Sequence, residues 1–161
     1  IVYTIILAPY WSAITEAYTK KDFEWIKTSV NNIQKIWLLV PVALIVMILS
    51  SDRAYVLWVG QKVTVSFGLT LMMALLVSLK TFNMVYVSFL NGVGKIKLQL
   101  VTGITSILLN IPLSFFFAEY LGLGVKGVVI ATCCSLGYSV ILRPLQYFKI
   151  INRKAKGIWD A

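Results

Sequence analysis

Histidine is absent from this chain of 161 residues. That removes the commonest general base and the commonest metal ligand together. Acids are scarce as well. The six are Glu16, Asp22, Glu24, Asp52, Glu119 and Asp160. None lies inside a long apolar run, so no pair of carboxylates is available within a span, and no His-supported nucleophile can be built. The only cysteines, Cys133 and Cys134, are neighbours in an apolar stretch. Adjacent cysteines rarely reach disulfide geometry, and both read as small hydrophobes. The stretch Asn91-Gly92-Val93-Gly94-Lys95 has glycines and a lysine, but it lacks the spacing and the Lys-Ser/Thr ending of a phosphate-binding loop. It reads as a tight turn. No catalytic residue, metal site or cofactor is expected, and the chain is not read as an enzyme.

Charge is also in short supply. Only 13% of residues are charged and 59% are hydrophobic, against about 25% and about 45–50% in soluble domains. Mean hydropathy is +0.84. Between the charge clusters run stretches of roughly 20 apolar residues, the length that crosses a bilayer. A soluble helix is seldom apolar on every face over that distance. The net charge of +9 comes mainly from lysines and arginines between and after these runs. No basic face on a soluble domain is left to carry phosphate contacts, so no nucleic-acid partner is expected.

The fold class expected is all-α: a polytopic transmembrane helix bundle with one truncated span and four full ones, residues 1–161 forming a single transmembrane domain. The truncated span runs from Ile1 to about Ile14, across Pro9. No basic segment precedes Ile1 and Glu16, Lys20 and Lys21 follow, a poor pattern for a signal peptide. The chain is therefore expected to open inside a membrane helix of a larger protein. The full spans are about Ile33–Ser50, Val63–Leu90, Leu98–Ala118 and Val125–Phe148, the first, third and fourth carrying Pro41, Pro112 and Pro144. Neighbouring helices in a bundle can satisfy the carbonyls that such prolines free.

Asp22 has the position of an N-cap. After it Phe23, Ile26, Val30, Ile33 and Trp37 recur at helical spacing, while Lys27, Asn31, Asn32 and Lys35 fall largely elsewhere on the wheel. This pattern fits a cytoplasmic interfacial amphipathic helix turning into the next span; a solvated loop helix is the other reading. Basic residues then alternate between connections. Lys20, Lys21, Lys27 and Lys35 lie in the first, Lys95 and Lys97 in the third, and Lys149, Arg153, Lys154 and Lys156 in the tail. The second holds Arg53 and Lys62, the fourth only Lys126. By the positive-inside rule the odd connections and the C-terminus are cytoplasmic.

Within the spans, Lys80 demands an explanation. With the hydrocarbon starting near Phe89, Lys80 lies about 14 Å deeper, close to the middle of a core about 30 Å thick. A charge there costs about 2.5–3.5 kcal/mol on insertion scales and usually faces a bundle interior or a wet cavity. Asn83 and Asn91 lie near it on the same helix, by the 3.6-residue period. On the following span Gln99, Thr102, Ser106, Asn110 and Ser114 share a face, and on the last Thr132, Ser135, Ser139 and Arg143 align. Lys80, Asn83, Gln99, Ser106, Asn110 and Arg143 are the candidate cavity-lining, substrate-binding residues. Helix–helix packing is the competing reading, because Ser, Thr and Asn join membrane helices as readily as they line a lumen.

Four stretches carry a family resemblance: Pro9-Tyr10-Trp11-Ser12-Ala13-Ile14-Thr15-Glu16-Ala17 with Asp22 following, Leu57-Trp58-Val59-Gly60, Asn91 through Gln99, and Leu121-Gly122-Leu123-Gly124-Val125-Lys126-Gly127. In this order the chain resembles the C-terminal lobe of polysaccharide-biosynthesis (O-antigen) flippases, which belong to the superfamily of multidrug, oligosaccharidyl-lipid and polysaccharide exporters. The resemblance implies a two-lobed transporter of the bacterial inner membrane that moves undecaprenyl-pyrophosphate-linked repeat units of O-antigen or capsule by alternating access. Its partners are then the lipid-linked glycan, membrane lipids and an N-terminal lobe missing from this chain. It further implies a positively lined cavity, a role that Lys80 fits in kind, with Arg143 nearer the cytoplasmic entrance. A multidrug or cation exporter of the same superfamily is the alternative, although such proteins more often bury an acid. A membrane-embedded polymerase or ligase would need a larger outer loop than Ser51–Lys62 or Glu119–Gly124 provides. A membrane scaffold without transport would have no wet lumen.

Overall fold

Helix accounts for nearly all of the computed structural model, which describes residues 2–60 and 65–161. Ile1, where the first apolar stretch opens, and Lys62 and Val63, assigned to the second connection and the start of a span, lie outside the described residues. The order is α1 (Val2–Thr19), α2 (Phe23–Trp37), α3 (Leu39–Val59), α4 (Phe67–Val93), α5 (Lys97–Phe115), a π-helical turn (Phe116–Tyr120), α6 (Gly124–Ile151) and a short 3₁₀ turn (Gly157–Asp160). Among the described residues four helical runs, Phe23–Trp58, Phe67–Val93, Lys97–Tyr120 and Gly124–Ile151, are long and apolar enough to cross a membrane. The chain is thus an all-α bundle of membrane-length helices.

Helix α1 passes through Pro9 and continues to Thr19, beyond its expected end at Ile14. The hydroxyls of Thr15 and Thr19 bond back to the Trp11 and Thr15 carbonyls at 3.0 and 2.9 Å, so the last turns keep their acceptors engaged. Asp22 then caps α2, accepting the Trp25 N–H at 3.0 Å. The amphipathic pattern of α2 is realised: Ile26, Val30 and Ile33 are buried, while Lys27, Asn31, Asn32 and Lys35 are exposed. Its apolar stripe rests on protein. Gln34 Nε2 donates to the Tyr86 hydroxyl and Trp37 Nε1 donates to Thr81 Oγ1 at 3.0 Å, and further on Tyr55 meets Thr70 at 3.3 Å. Residue numbers rise along one helix as they fall along the other. Helices α2 and α3 therefore form one nearly continuous antiparallel partner of α4, interrupted only at Leu38, which itself has helical φ and ψ.

The remaining pairings set the direction of each helix. Thr15 of α1 meets Gly92 of α4, and Asn83 and Tyr86 of α4 meet Ser139 and Tyr147 of α6; these three helices run parallel. Helix α5 runs against them, since Thr102 and Ser106 contact Tyr138 while Asn110 contacts Thr132. The direction alternates as the basic residues predict. Helices α1, α4 and α6 all finish at one end, the basic end, with Lys20, Lys21, Lys95 and Arg153 in the connections that follow them.

The core also sits toward that end. Ile14, Ile26, Val30, Ile33, Phe89, Leu90, Tyr147 and Ile150 belong to one buried cluster drawn from α1, α2, α4 and α6. Phe89 and Tyr147 pack edge to face with centroids 4.9 Å apart. By contrast α3 and α5 leave Leu49, Met47, Ile107, Leu108 and Ile111 exposed, the apolar surface that lipid is suited to cover. In lipid, apolar burial supplies little drive between helices, so close packing and interhelical hydrogen bonds carry the assembly. Two glycines permit the tightest approaches. A Cβ at Gly92 would come within 3.0 Å of Ile14 Cγ2, and one at Gly127 within 2.5 Å of the Phe117 carbonyl carbon in the π turn.

Candidate functional site

Lys80 is the middle residue of α4, thirteen residues from Phe67 and thirteen from Val93. At 1.5 Å per residue each helix end is about 20 Å away. The side chain is exposed. Among the described residues the two ion pairs are Glu16–Lys20 and Lys95–Asp160, and Lys80 belongs to neither. Its neighbour Thr81 takes the Trp37 hydrogen bond, which puts Lys80 at the level of the α2–α3 junction.

The residues expected beside Lys80 divide into two groups. Asn83 is 4% exposed and donates from Nδ2 to Ser139 Oγ at 2.8 Å, inside the α4–α6 interface. Its Oδ1 has no hydrogen-bond partner. Asn91 is half-buried in a groove against Thr4, Leu7 and Trp11 of α1. Neither continues an open polar wall from Lys80 within this chain.

The polar stripe of α5 is largely engaged with α6. Ser106 Oγ donates to the Ser135 carbonyl at 2.8 Å and lies 2.9 Å from the Tyr138 hydroxyl. Tyr138 also donates to the Thr102 carbonyl. Asn110 Nδ2 donates to Thr132 Oγ1 at 3.2 Å, and Ser114 donates to Asn110 Oδ1 at 3.4 Å. This ladder joins α5 to α6, as the helix–helix packing reading of these polar stripes expects. The residues nearest the basic end are less fully engaged. Gln99 is half-buried with an unpartnered Oε1, and Arg143 is half-buried with an unpartnered Nε. The unpartnered amide oxygen and guanidinium nitrogen leave hydrogen-bonding capacity for water or a ligand.

Tyr138 went unread in the sequence as the central donor of this ladder, although it lies three residues after Ser135 on the same face. In the sequence, the polar side of α2 reads as the outer face of an interfacial helix, with a solvated loop helix as the alternative. Because α2 stands along α4, Lys27, Asn31 and Lys35 instead form a polar strip extending from the basic end toward the level of Lys80. The arrangement is thus one unpaired central cation, a polar strip leading toward it, and partly satisfied groups at the basic end. It can hold and guide an anion. Among the described residues it offers no cluster of metal ligands.

The sequence profile of the family described as MatE matches residues 9–116, well over half of the chain. No curated protein and no solved structure matches it significantly.

Proposed function

Because the chain belongs to the MatE family, whose members are membrane transporters and not enzymes, we propose that it is part of a flippase for lipid-linked, pyrophosphate-bearing oligosaccharide. Lys80 carries this reading. A cation exporter needs an anionic group in its pathway to hold the cation or a proton, and no acid of this chain stands at the mid-helix level of Lys80: Glu24 lies toward the basic end, and Asp52 and Glu119 toward the opposite one. An exposed, unpaired lysine at the centre of α4 suits the opposite charge. At an effective dielectric of about 20, a phosphate charge about 4 Å from an ammonium gains about 4 kcal/mol, comparable with the cost of placing the lysine mid-membrane.

In this mechanism the basic end faces the cytoplasm of a bacterial inner membrane and the C-terminus lies there. The pyrophosphate enters at the basic end, where Gln99 and Arg143 have unpartnered polar atoms, follows the α2 strip to Lys80, and leaves on the far side while the lipid tail stays in the bilayer. A second lobe closes the other wall, and the two rock about the bound head group.

The test is made with the full-length gene in its host. Deletion is expected to accumulate lipid-linked oligosaccharide inside the membrane and to deplete surface glycan, with both restored by the gene. Lys80→Ala is expected to restore less than a tenth of wild-type surface glycan, and Lys80→Arg most of it. Full restoration by Lys80→Ala at equal protein level overturns the role of Lys80. Unchanged glycan with altered resistance to cationic compounds assigns the protein to drug export instead, and unpolymerised surface glycan assigns it to a polymerase or ligase.

A further inference from the structure

At the basic end, away from Lys80, the turns after α1 and α6 and the C-terminal segment line an open cavity of about 620 Å³, within the size range of ligand pockets. Tyr18, Phe23 and Ile150 contribute to its walls, and its charged groups are Lys21, Arg153 and Asp160. The two cations share a backbone peculiarity. Lys21 and Arg153 are the only described non-glycine residues with positive φ, +60° and +54°, and each stands two residues past the end of its helix.

The usual task of such residues is to close a helix C-terminus, and here the backbone performs it. Lys21 N–H donates to the Tyr18 carbonyl and Asp22 N–H to the Ala17 carbonyl; Arg153 N–H donates to the Ile150 carbonyl and Lys154 N–H to the Lys149 carbonyl. The side-chain cations are left over. The Arg153 guanidinium lies 4.9 Å from the Phe23 ring centroid, a contact with a ring face that leaves its N–H donors available. Neither cation forms an ion pair or side-chain hydrogen bond among the described residues. The acid in the cavity wall is committed, since Asp160 pairs with Lys95 at 3.1 Å, and of the acids near it in sequence Glu16 pairs with Lys20 at 2.6 Å and Asp22 caps α2. The cavity therefore has two free positive groups, one of them a guanidinium, and one carboxylate already neutralised.

We propose that this cavity is a binding site for a phosphate group, held between Lys21 and Arg153. A guanidinium fork and an ammonium are the pairing best matched to phosphate oxygens. The source of the phosphate is an anionic lipid head group at the adjoining membrane surface or a free phosphate. Occupancy ties the α1–α2 corner to the segment after α6, since one cation comes from each. The site is independent of the transport reading, and its test does not involve transport.

The full-length protein is reconstituted in phosphatidylcholine nanodiscs. Phosphatidylglycerol is titrated into the discs in one arm, and inorganic phosphate is added to the buffer in the other. Lipid retention by native mass spectrometry and the unfolding midpoint are read in both. Each charge-assisted hydrogen bond to phosphate is worth roughly tenfold in affinity. Lys21→Gln/Arg153→Gln is expected to weaken binding at least that much, while Lys154→Gln/Lys156→Gln, removing the same charge from the neighbouring surface, costs distinctly less because it takes away only the general surface attraction. Lys21→Arg/Arg153→Lys keeps both charges and is expected to retain wild-type affinity, which separates lost binding from lost folding. A response to phosphatidylglycerol alone names the lipid head group, and a response to inorganic phosphate names the free anion. No response to either overturns the site. Equal losses in the two neutralised doubles overturn it too, by reducing the effect to general surface charge.

Discussion

Asn83 and Ser139 meet across 2.8 Å inside the α4–α6 interface, amide to hydroxyl, with both side chains nearly inaccessible. The pair lies one turn from Lys80, so it holds the helix that presents the cation against the helix that carries Arg143. A buried interhelical hydrogen bond in a membrane bundle averages only about 0.6 kcal/mol by double-mutant cycle, with about 1.7 kcal/mol the largest measured in the best-studied case. The cycle of Asn83→Ala, Ser139→Ala and the double variant is expected to give a coupling of about 0.5–1.5 kcal/mol. It is read from unfolding of the detergent-solubilised protein. A coupling indistinguishable from zero removes this pair from the contacts that position Lys80.

The glycines give a graded series. Gly127→Ala sets a Cβ against the Phe117 backbone at 2.5 Å, and Gly92→Ala sets one against Ile14 Cγ2 at 3.0 Å, whereas at Gly103 and Gly137 nothing lies within 4 Å. Backbone yields less readily than a side-chain methyl, so the loss at Gly127 is expected to exceed the roughly 1–3 kcal/mol of ordinary overpacking, with Gly92 inside that range. Gly103→Ala and Gly137→Ala gain up to about 1 kcal/mol of helix propensity. Thermal midpoints of the four variants check the order. Equal midpoints for Gly127→Ala and Gly137→Ala contradict the close approach of α6 to the π turn.

Gln146 secures the C-terminal segment. It is fully buried and donates to the Lys95 and Trp159 carbonyls at 3.3 and 3.2 Å. Lys95 holds Asp160, and Lys149 lies 3.6 Å over the Trp159 ring. Gln146→Leu leaves both carbonyls without this donor, a cost of about 1–3 kcal/mol. Trypsin cleavage after Lys154 and Lys156 is expected to accelerate about fivefold or more, as local opening becomes easier. An unchanged cleavage rate shows that the segment is held without Gln146.

Much of this architecture was legible in the sequence because the bilayer imposes a length. The apolar runs, the Asp22 cap and the alternation of basic connections all appear as expected. Boundaries were less legible. The span expected to close at Ser50 continues as helix to Val59, through Asp52 and Arg53, because a charge emerging from the hydrocarbon ends a hydrophobic run without breaking backbone hydrogen bonds. The span expected to open at Ile33 shares its first residues with α2, whose apolar stripe merges with the membrane run at Trp37. At the candidate site, the mid-helix position of Lys80 was readable from counting alone. The burial of Asn83 was not, since Ser139 is 56 residues away and only tertiary packing selects it over water. The same holds for Tyr138, whose role depends on two turns of α5.

The contact between Thr15 and the Gly92 carbonyl, 2.8 Å long, joins residues 77 positions apart. At about 5–20 residues per second of synthesis, α1 waits about 4–15 s before its partner on α4 exists. Through that interval its Ile14 and Ala17 face lacks the protein surface that later covers it. A chaperone or membrane protease surveying newly inserted helices meets α1 uncovered, and arrival of Gly92 ends that exposure. Variants that obstruct the contact should therefore lower the amount of protein reaching the membrane before they alter what the finished protein does.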